Sequence, residues 1–326
     1  MVCYGQIAMK KYKKPPPFRG FLYYLRCLAR KRPSWVNIEV TKRCNARCNH
    51  CSYWQDDSPP ELADYTEIVK DFRPVVLSLS GGEPLIRKDL ADVVRKFRPY
   101  CHFVALVTNG VLLNESRAKD LCDAGVDQIS VSLDFLNDKH DVLRGVPGLF
   151  EKIKRTVPEL AARGYNMAFN VVMMDTNMDE IIPLALAARD WGVQVSYSTY
   201  CHLKNDNNDH TIANGDIKKL SGIIKELKSL KRKYKHIKNS DHYLDGIIRY
   251  VGDGGIPDCQ AGRRWVQVTP DGFLQPCSEL PKYCKATEYS RDTVPPISCT
   301  KCWFACRGEA EANYMKPRRL IELIRE

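Results

Sequence analysis

Short runs rich in β-branched residues alternate with amphipathic stretches through the first two thirds of the chain. Six runs have the apolar character of buried strands: Val36–Val40, Val75–Ser80, His102–Thr108, Gln128–Asp134, Met167–Met174 and Val193–Tyr200. Five stretches between them have apolar residues at helical spacing: Leu62–Phe72, Lys88–Phe97, Glu115–Ala124, Leu149–Arg163 and Met178–Trp191. Repeated strand–helix units predict parallel strands with helical crossovers. The pattern fits either a partial (β/α) barrel or a flat doubly wound sheet, since periodicity alone does not distinguish them.

The rest of the chain divides into segments of different composition. The polar stretch from Cys201 to Asp216 predicts a boundary loop. Apolar residues then recur at helical spacing from Ile217 to Ile237 with lysines on the other face, which predicts an amphipathic helix with a solvated charged face. From about Asp253 the chain is rich in Gly, Pro and Cys. We therefore predict an N-terminal arm at 1–35, a strand–helix domain at 36–200, a linker with the amphipathic helix at 201–245 and a Cys-rich domain at 246–326.

Composition indicates the compartment. The chain has 326 residues, of which 44% are hydrophobic and 27% charged, as in a globular protein with an ample core. It has neither a run of about 18 apolar residues nor an apolar signal segment, so we expect a cytoplasmic protein. The 14 cysteines in such a compartment favour metal binding or catalysis over disulfides.

Positive charge is concentrated in the arm. Residues 1–32 hold nine lysines and arginines and no acid, whereas the rest of the chain holds 41 basic and 39 acidic residues. Apolar residues from Phe18 to Ala29 follow helical spacing, with Arg19, Arg26 and Arg30 on another face. This composition fits a peripheral helix on the inner membrane face through residues 10–32, and equally a helix packed on the domain with solvated arginines. No RNA-binding motif accompanies the arm, so we expect no nucleic acid as a partner.

Three cysteines follow the first predicted strand, in the sequence Cys44-Asn-Ala-Arg-Cys48-Asn-His-Cys51. Thiolates at these spacings in one loop can bind three corners of a cubane iron–sulfur cluster and leave the fourth iron open to another ligand. The alternative is a structural zinc ion with His50 as its fourth ligand, because structural zinc sites are closed by four ligands.

A glycine turn follows the second predicted strand, at Gly81, Gly82, Glu83 and Pro84. Two glycines allow backbone carbonyls to approach a ligand closely, and the adjacent carboxylate can accept hydrogen bonds from an ammonium group. Alone, the turn is equally typical of an ordinary strand-to-helix connection. Its position one strand–helix unit after the three-cysteine loop makes it more specific.

Together, the two motifs resemble the signature of the radical S-adenosylmethionine (radical SAM) superfamily, over roughly Val36 to Tyr200. The resemblance implies an α/β fold, a partial (β/α)6 barrel of the TIM type with its site at the C-terminal ends of the strands. It also implies that Cys44, Cys48 and Cys51 hold a [4Fe–4S] cluster. The amino and carboxylate groups of S-adenosylmethionine (SAM) then chelate the fourth iron.

Further positions fit SAM as the ligand that the resemblance implies. Gly81, Gly82 and Glu83 are expected to face its ammonium group, and Arg144 to pair with its carboxylate through a bidentate fork. The other candidates end the fourth strand, lie in the fifth or lie in the cysteine loop: Ser132 and Asp134 for the ribose or carboxylate, Asn170 for the ribose, and His50 near the adenine. Surface ion pairs or caps are the alternative for these polar residues. No catalytic residue is assigned.

A second cysteine set lies in the C-terminal third: Cys259, Cys277, Cys284, Cys299, Cys302 and Cys306. The segment Thr269-Pro-Asp-Gly272 predicts a hairpin turn, which brings Cys259 and Cys277 together. Two further thiolates come from one loop, at Cys299 and Cys302. Four thiolates would fully ligate an iron–sulfur cluster or a zinc ion.

This spacing resembles the shorter twitch form of the SPASM/twitch branch of radical SAM enzymes, which implies an auxiliary [4Fe–4S] cluster. The full SPASM pattern is not met, because Cys306 comes four residues after Cys302 and no cysteine follows it. Cys306 and Cys284 are alternative ligands, free thiols or members of an incomplete second site. A structural zinc ion is the alternative, since spacing does not distinguish zinc from iron. We interpret the other cysteines as core or incidental thiols: Cys3, Cys27, Cys101, Cys122 and Cys201.

The resemblance predicts an oxidoreductase or transferase with anaerobic chemistry. A flavodoxin- or ferredoxin-type donor reduces the cluster, SAM yields a 5′-deoxyadenosyl radical, and the radical abstracts hydrogen from a peptide, small metabolite or lipid. Oxidation, crosslinking or carbon–carbon bond formation follows. Molybdopterin-precursor synthesis is not expected, because Ile321–Glu326 lacks the diglycine tail of that subfamily. The alternative is a non-enzymatic zinc protein that binds an anionic membrane or nucleic acid through its basic arm.

Overall fold

The computed structural model describes residues 15–312. Residues 1–14 and 313–326 lie outside it. The predictions for Cys3, for the arm before residue 15 and for the chain end at Ile321–Glu326 therefore concern residues outside the described part.

A parallel sheet forms the centre of the fold. Its first six strands confirm the predicted ones: β1 (Trp35–Thr41), β2 (Val76–Gly81), β3 (Phe103–Thr108), β4 (Gln128–Ser132), β5 (Met167–Met173) and β6 (Gln194–Thr199). Each of these strands pairs in parallel with the next one along the chain. A doubly wound sheet reverses its strand order at a switch point, whereas this order runs in one direction. The fold is therefore α/β with a partial TIM-type barrel, and the flat-sheet alternative is wrong.

Helices connect the strands and follow them. Those in residues 15–312 are α1 (Pro17–Ala29), α2 (Thr66–Phe72), α3 (Leu90–Phe97), α4 (Glu115–Ala124), α5 (Lys139–Arg144), α6 (Leu149–Ala162), α7 (Ile181–Asp190), α8 (Ile217–Tyr234), α9 (Asp241–Gly252) and α10 (Ala305–Glu311). The five amphipathic stretches predicted between the strands are confirmed as α2, α3, α4, α6 and α7. The predicted linker helix is confirmed as α8, which buries Leu220, Ile224 and Leu227. Periodicity did not predict α5, α9 or α10.

The Cys-rich region continues the same sheet. β7 (Trp265–Val268) pairs in parallel with β1, and β8 (Phe273–Gln275) and β9 (Cys284–Lys285) follow it antiparallel. The predicted hairpin turn is confirmed: Gly272 has φ +82° and its N–H donates to Thr269 O at 2.9 Å. Main-chain hydrogen bonds therefore join the hairpin directly to the barrel.

The two faces of the sheet differ in polarity. On the outer face, alternate residues such as Ile38 and Leu77 are completely buried in the core that the strands share with the helices. On the inner face, the strand register places Asn37 beside both Ser78 and Gln267. The outer face of the barrel sheet is therefore apolar, and its inner face is partly polar.

Helix α9 carries a large aromatic contact. Trp303 is buried and stacks on Tyr243 of α9, with ring centroids 6.0 Å apart and only 6° between the ring planes. Its indole Nε1 donates to Tyr243 O at 2.9 Å. This contact fixes the loop before α10 against α9.

Helix α1 lies against the N-terminal ends of β2 and β3. The Cys27 thiol donates to Arg73 O at 3.6 Å, just before β2, and the Tyr23 ring lies 5.7 Å from that of His102, just before β3. Tyr24 and Cys27 are buried in this contact. Among residues 15–312, no helix combines the length and apolarity needed to cross a bilayer.

Candidate functional site

The three-cysteine loop begins where β1 ends, at the C-terminal edge of the sheet. Cys44, Cys48 and Cys51 are all half-buried. Burial raises the pKa of the Cys44 thiol to about 11, and the nearby Cys48 and Cys51 thiols act in the same direction. The loop therefore brings three soft sulfur donors together, which is the donor set that iron–sulfur clusters use.

No three His, Cys, Asp or Glu side chains within residues 15–312 are grouped closely enough to hold one metal ion. A cubane carries each of its ligands on a different iron, so its thiolates need not share one centre. The cysteine loop fits such a cluster by the chemistry and number of its donors.

The short helix α5 holds this loop in place. The last carbonyls of a helix have no partner within the helix. Here Leu143 O accepts from Asn49 N and Arg144 O accepts from Arg47 N, each at 3.0 Å. The C-terminal turn of α5 thus clamps the segment that contains Cys48.

A buried ion pair joins the segment just after β4 to the same loop. Arg144 donates to Asp134 Oδ2 through Nε at 3.0 Å and also through Nη2, and its Nη1 lies 3.9 Å from Cys48 Sγ. Burial disfavours the charge of Asp134, but Arg144, His140 and His50 together hold the pKa of its carboxyl below the ordinary value. The structure therefore places Arg144 against a cluster cysteine and Asp134. Its expected bond to the SAM carboxylate stays a prediction.

The glycine turn packs against the same loop. Gly82 N donates to Thr41 O and Glu83 N to Arg43 O, each at 2.8 Å. A Cβ at Gly82 would lie 2.2 Å from Arg43 O, so glycine is required there by the close approach of the two main chains. The turn therefore packs closely on the segment just before Cys44, while the predicted approach of its carbonyls to a ligand stays a prediction.

The Glu83 side chain is buried and binds the end of β3. It accepts from Thr108 Oγ1 at 2.7 Å, from Asn109 N at 2.7 Å and from Leu85 N at 3.0 Å. Burial raises the pKa of Glu83, and these donors oppose the shift. A carboxylate has about four acceptor positions, so these bonds leave about one for an ammonium group.

The other predicted SAM contacts also lie at this edge of the sheet. Ser132 ends β4 and is paired with Asn170 in β5. His50 is buried, and its ring stands edge-on to that of His210, 6.5 Å away. Asn205, in the loop after β6, donates to Asn49 O at 3.0 Å. The structure therefore brings these predicted residues to one edge; their individual roles toward SAM stay predictions.

Two neighbours of the site were missed in the sequence. Asn109 donates to Asn45 Oδ1 at 2.7 Å and so ties the cysteine loop to β3. His140 is fully buried and its Nδ1 lies 3.8 Å from Asp134 Oδ2. Asn109 directly follows the carboxyl end of β3, and barrel sites are built at the carboxyl ends of the strands. That position could have identified Asn109 as a site residue from the sequence. No sequence pattern marked His140.

Cysteines of the second set also lie near one another, and one further cysteine lies beside them. Cys259, Cys277 and Cys306 pack in one cluster, where Cys306 is partly buried. Burial raises the pKa of Cys302, and Cys201, Cys277 and Cys259 act in the same direction. Cys201, interpreted above as a core or incidental thiol, is buried and lies beside this set, with its Sγ 3.3 Å from Lys301 O.

The remaining candidates of this region are placed differently. Cys284 lies in β9, with its Sγ 4.0 Å from Thr293 Oγ1. Cys299 is half-buried. Arg307, which sequence reasoning missed, is fully buried and donates to Cys302 O at 2.8 Å. It therefore fixes the loop that carries Cys299 and Cys302.

The fold and the cysteine loop define a partial-barrel protein with its site at the carboxyl ends of the strands. Residues 38–188 match the family model of the Radical SAM superfamily. This part of the chain is therefore a radical SAM domain, a family whose members use a [4Fe–4S] cluster and SAM.

Relatives share this region at moderate identity. The chain is 32% identical to pre-heme d1 synthase of Dinoroseobacter shibae over 181 residues, which cover 53% of this chain but only 45% of that protein. It is 25% identical to GTP 3',8-cyclase of Clostridium perfringens, over 74% of this chain and 80% of the relative. It is 27% identical to AdoMet-dependent heme synthase of Methanosarcina barkeri, over 76% of this chain and 78% of the relative.

Solved structures share the fold. SuiB of Streptococcus suis bound to S-adenosylmethionine superposes with a TM-score of 0.66 at 15% identity, covering 83% of this chain and 68% of that one. The AdoMet-bound anSMEcpe superposes with a TM-score of 0.60 at 16% identity, covering 80% and 79%. At these identities the likeness shows the fold alone.

Proposed function

We propose that the protein is a radical SAM enzyme whose cluster is held by Cys44, Cys48 and Cys51. When bound, the cluster and SAM supply a 5′-deoxyadenosyl radical that abstracts hydrogen from a substrate. The observation that carries the proposal is the cysteine loop itself. It lies within the matched region and is held by β1, the glycine turn and α5.

The chain's own residues would position SAM at the carboxyl edge of the sheet. The carbonyls of Gly81 and Gly82 and the remaining acceptor position of Glu83 suit an ammonium group. Ser132 and Asn170 offer a hydroxyl and an amide side by side for a ribose, and His50 offers a ring face for the adenine. Asp134 and Arg144 would act on the cysteine loop as well as on SAM.

We propose an auxiliary [4Fe–4S] cluster of the SPASM/twitch type in the second cysteine set. Cys259, Cys277, Cys299 and Cys302 are its first candidate ligands, with Cys306 as an alternative. The folds of SuiB and anSMEcpe support this assignment only through overall likeness. Arg307 would keep the loop between the two last ligands in position.

The partly polar inner face of the barrel indicates which class of substrate the site would bind. The strand register puts the amides of Asn37 and Gln267 and the hydroxyl of Ser78 on the inner face, where such groups would offer hydrogen bonds to a polar ligand. We therefore favour a peptide or small polar metabolite over a lipid. SuiB has been solved with its precursor peptide SuiA, and one relative is a GTP 3',8-cyclase. A flavodoxin- or ferredoxin-type donor in the cytoplasm would supply the electron.

Anaerobic purification and reconstitution test the enzyme assignment. The wild type should be brown, hold about four irons per chain for one cubane or about eight for two, and release 5′-deoxyadenosine from SAM with dithionite. Cys48→Ala should abolish that release. Cys122→Ala, a half-buried cysteine in α4 away from both sets, should leave it unchanged.

Two results would contradict the proposal. One is release of 5′-deoxyadenosine by Cys48→Ala at the wild-type rate. The other is a colourless protein that retains zinc and binds no SAM after reconstitution. The second result would favour the non-enzymatic zinc protein.

A further inference from the structure

Helix α1 turns its apolar side chains away from the protein. Five of the nine large hydrophobic side chains that are exposed in residues 15–312 belong to this helix: Phe18, Phe21, Leu22, Leu25 and Leu28. Phe18 is 69% exposed, Leu28 52% and Leu22 51%. We call these five residues the α1 stripe. Contiguous apolar surface of this kind marks an interaction site, whereas single exposed residues do not.

The outward orientation is fixed by packing on the opposite side of the helix. Tyr24 and Cys27 are buried, Cys27 donates to Arg73 O, and Tyr23 packs against His102. At 3.6 residues per turn these positions lie opposite Phe18, Leu22 and Leu25. The stripe is therefore presented by a docked helix.

Only positive charge borders the stripe on α1 itself. Arg19, Arg26 and Arg30 follow one flank of the helix at spacings of seven and four residues, and Lys31 comes just after its end. The nearest acid that pairs with this group is Asp71 of α2, 3.9 Å from Arg30 and also bound to Arg32. The sequence before α1 adds four more lysines and no acid.

We propose that α1 binds an anionic lipid surface, with the stripe in the acyl–headgroup boundary and the arginines among the headgroups. An aromatic and aliphatic face with a cationic flank is the composition of helices that lie in the membrane interface. Basic residues close to an anionic leaflet add to the affinity, and that contribution falls with salt. The inference goes beyond the enzyme activity and does not depend on it.

Vesicle co-sedimentation of the full-length protein tests this surface. The probes are vesicles of phosphatidylcholine with phosphatidylglycerol and vesicles of phosphatidylcholine alone. We expect the wild type to bind the anionic vesicles, and binding to weaken as salt is raised. Leu22→Ser with Leu25→Ser should lower the partition coefficient by about tenfold or more, because apolar area leaves the lipid. Arg26→Glu with Arg30→Glu should lower it by about thirtyfold or more, because two positive charges are replaced by two negative ones.

Leu112→Ser is the matched control. Leu112 is 38% exposed, as is Leu25, but it lies in the loop before α4. Its substitution should leave vesicle binding unchanged. Circular dichroism and size-exclusion chromatography of each variant verify that the fold is intact.

Three outcomes would overturn the proposal. The first is equal sedimentation with neutral and anionic vesicles, or with neither. The second is a wild-type dimer that Leu25→Ser converts to a monomer, which would show that a second copy covers the stripe. The third is a larger loss of melting temperature in Leu25→Ser than in Leu112→Ser without vesicle binding, which would show that the chain covers the stripe itself.

Discussion

Arg144 and Cys48 lie against each other at the carboxyl edge of the sheet. Nη1 of the guanidinium is 3.9 Å from the sulfur, while Nε and Nη2 bind Asp134. The carbonyl of the same arginine accepts from Arg47 N, so main chain and side chain of one residue both hold the loop. A positive charge at this position favours the more negative, reduced form of a bound cluster.

Replacing Arg144 by Gln should therefore lower the reduction potential of the cluster. The interaction of one charge with the added electron at about 4 Å is on the order of 1–4 kcal/mol, so the ratio of reduced to oxidised cluster at a fixed potential should fall by about tenfold or more. For one electron, tenfold corresponds to about 59 mV. The measurement is an EPR-monitored redox titration of reconstituted protein without SAM. Arg144→Lys should retain part of the effect, and an unchanged potential in Arg144→Gln would refute it.

Gly82→Ala should disrupt the cysteine loop. The new Cβ would lie 2.2 Å from Arg43 O and 2.4 Å from Lys42 O, and main-chain atoms cannot move aside cheaply. We expect the iron content after reconstitution to fall several-fold, measured per folded chain. Gly215→Ala meets nothing within 4 Å and should load iron like the wild type.

Gly246→Ala and Gly222→Ala should change stability in opposite directions. Both lie within helices, where Ala is favoured over Gly by about 1 kcal/mol. In α9, however, a Cβ at Gly246 would lie 2.4 Å from the Trp303 ring, and such overpacking costs about 1–3 kcal/mol. In α8 a Cβ at Gly222 meets nothing within 4 Å. Urea unfolding should show a less stable Gly246→Ala and a more stable Gly222→Ala.

His102, beneath α1, should make stability depend on pH. Burial lowers its pKa from the ordinary 6.5 to about 4, and the nearby Arg19 and Arg98 act in the same direction. Between these two values the unfolded chain binds a proton that the folded chain does not, so stability falls as pH drops below 6.5. Because the ring is only half-buried, we expect a loss of about 1 kcal/mol.

Urea unfolding at pH 5.5 and pH 7.5 measures this effect. His102→Gln should lose less stability than the wild type over that interval. If the free energy of unfolding depends equally on pH in the wild type and in His102→Gln, groups other than His102 cause the dependence.

The strand pattern predicted most of the barrel because its outer face is uniformly apolar. Runs such as the one around Leu77 and Leu79 are recognisable without knowledge of their neighbours. Strand order required the structure, since periodicity carries no information about pairing. Helix α5 was missed because its six residues are fewer than two full turns and show no period.

The site was predictable where spacing within one segment determines geometry. Cys44, Cys48 and Cys51 come from one loop, and Gly81 to Glu83 from one turn. Contacts between distant segments were not predictable. Arg144 was predicted to pair with the SAM carboxylate, but its contact with Cys48, 96 positions earlier in the chain, was not predicted. Cys201 was assigned no role for the same reason, since only the fold brings it beside Cys302.

The position of α1 has a consequence for how reactants reach the enzyme. The helix lies over the strand beginnings, whereas the cysteine loop lies at the strand ends, on the far side of the barrel. A bilayer bound by α1 would thus lie on the side of the barrel opposite the cysteine loop. The C-terminal edge of the sheet would then face the aqueous phase. Water-soluble reactants and an electron carrier would enter without obstruction, while a molecule embedded in the same bilayer would first have to leave it and travel around the barrel. Membrane binding of this kind would determine where in the cell the enzyme is located. It would not give a membrane-embedded substrate access to the site.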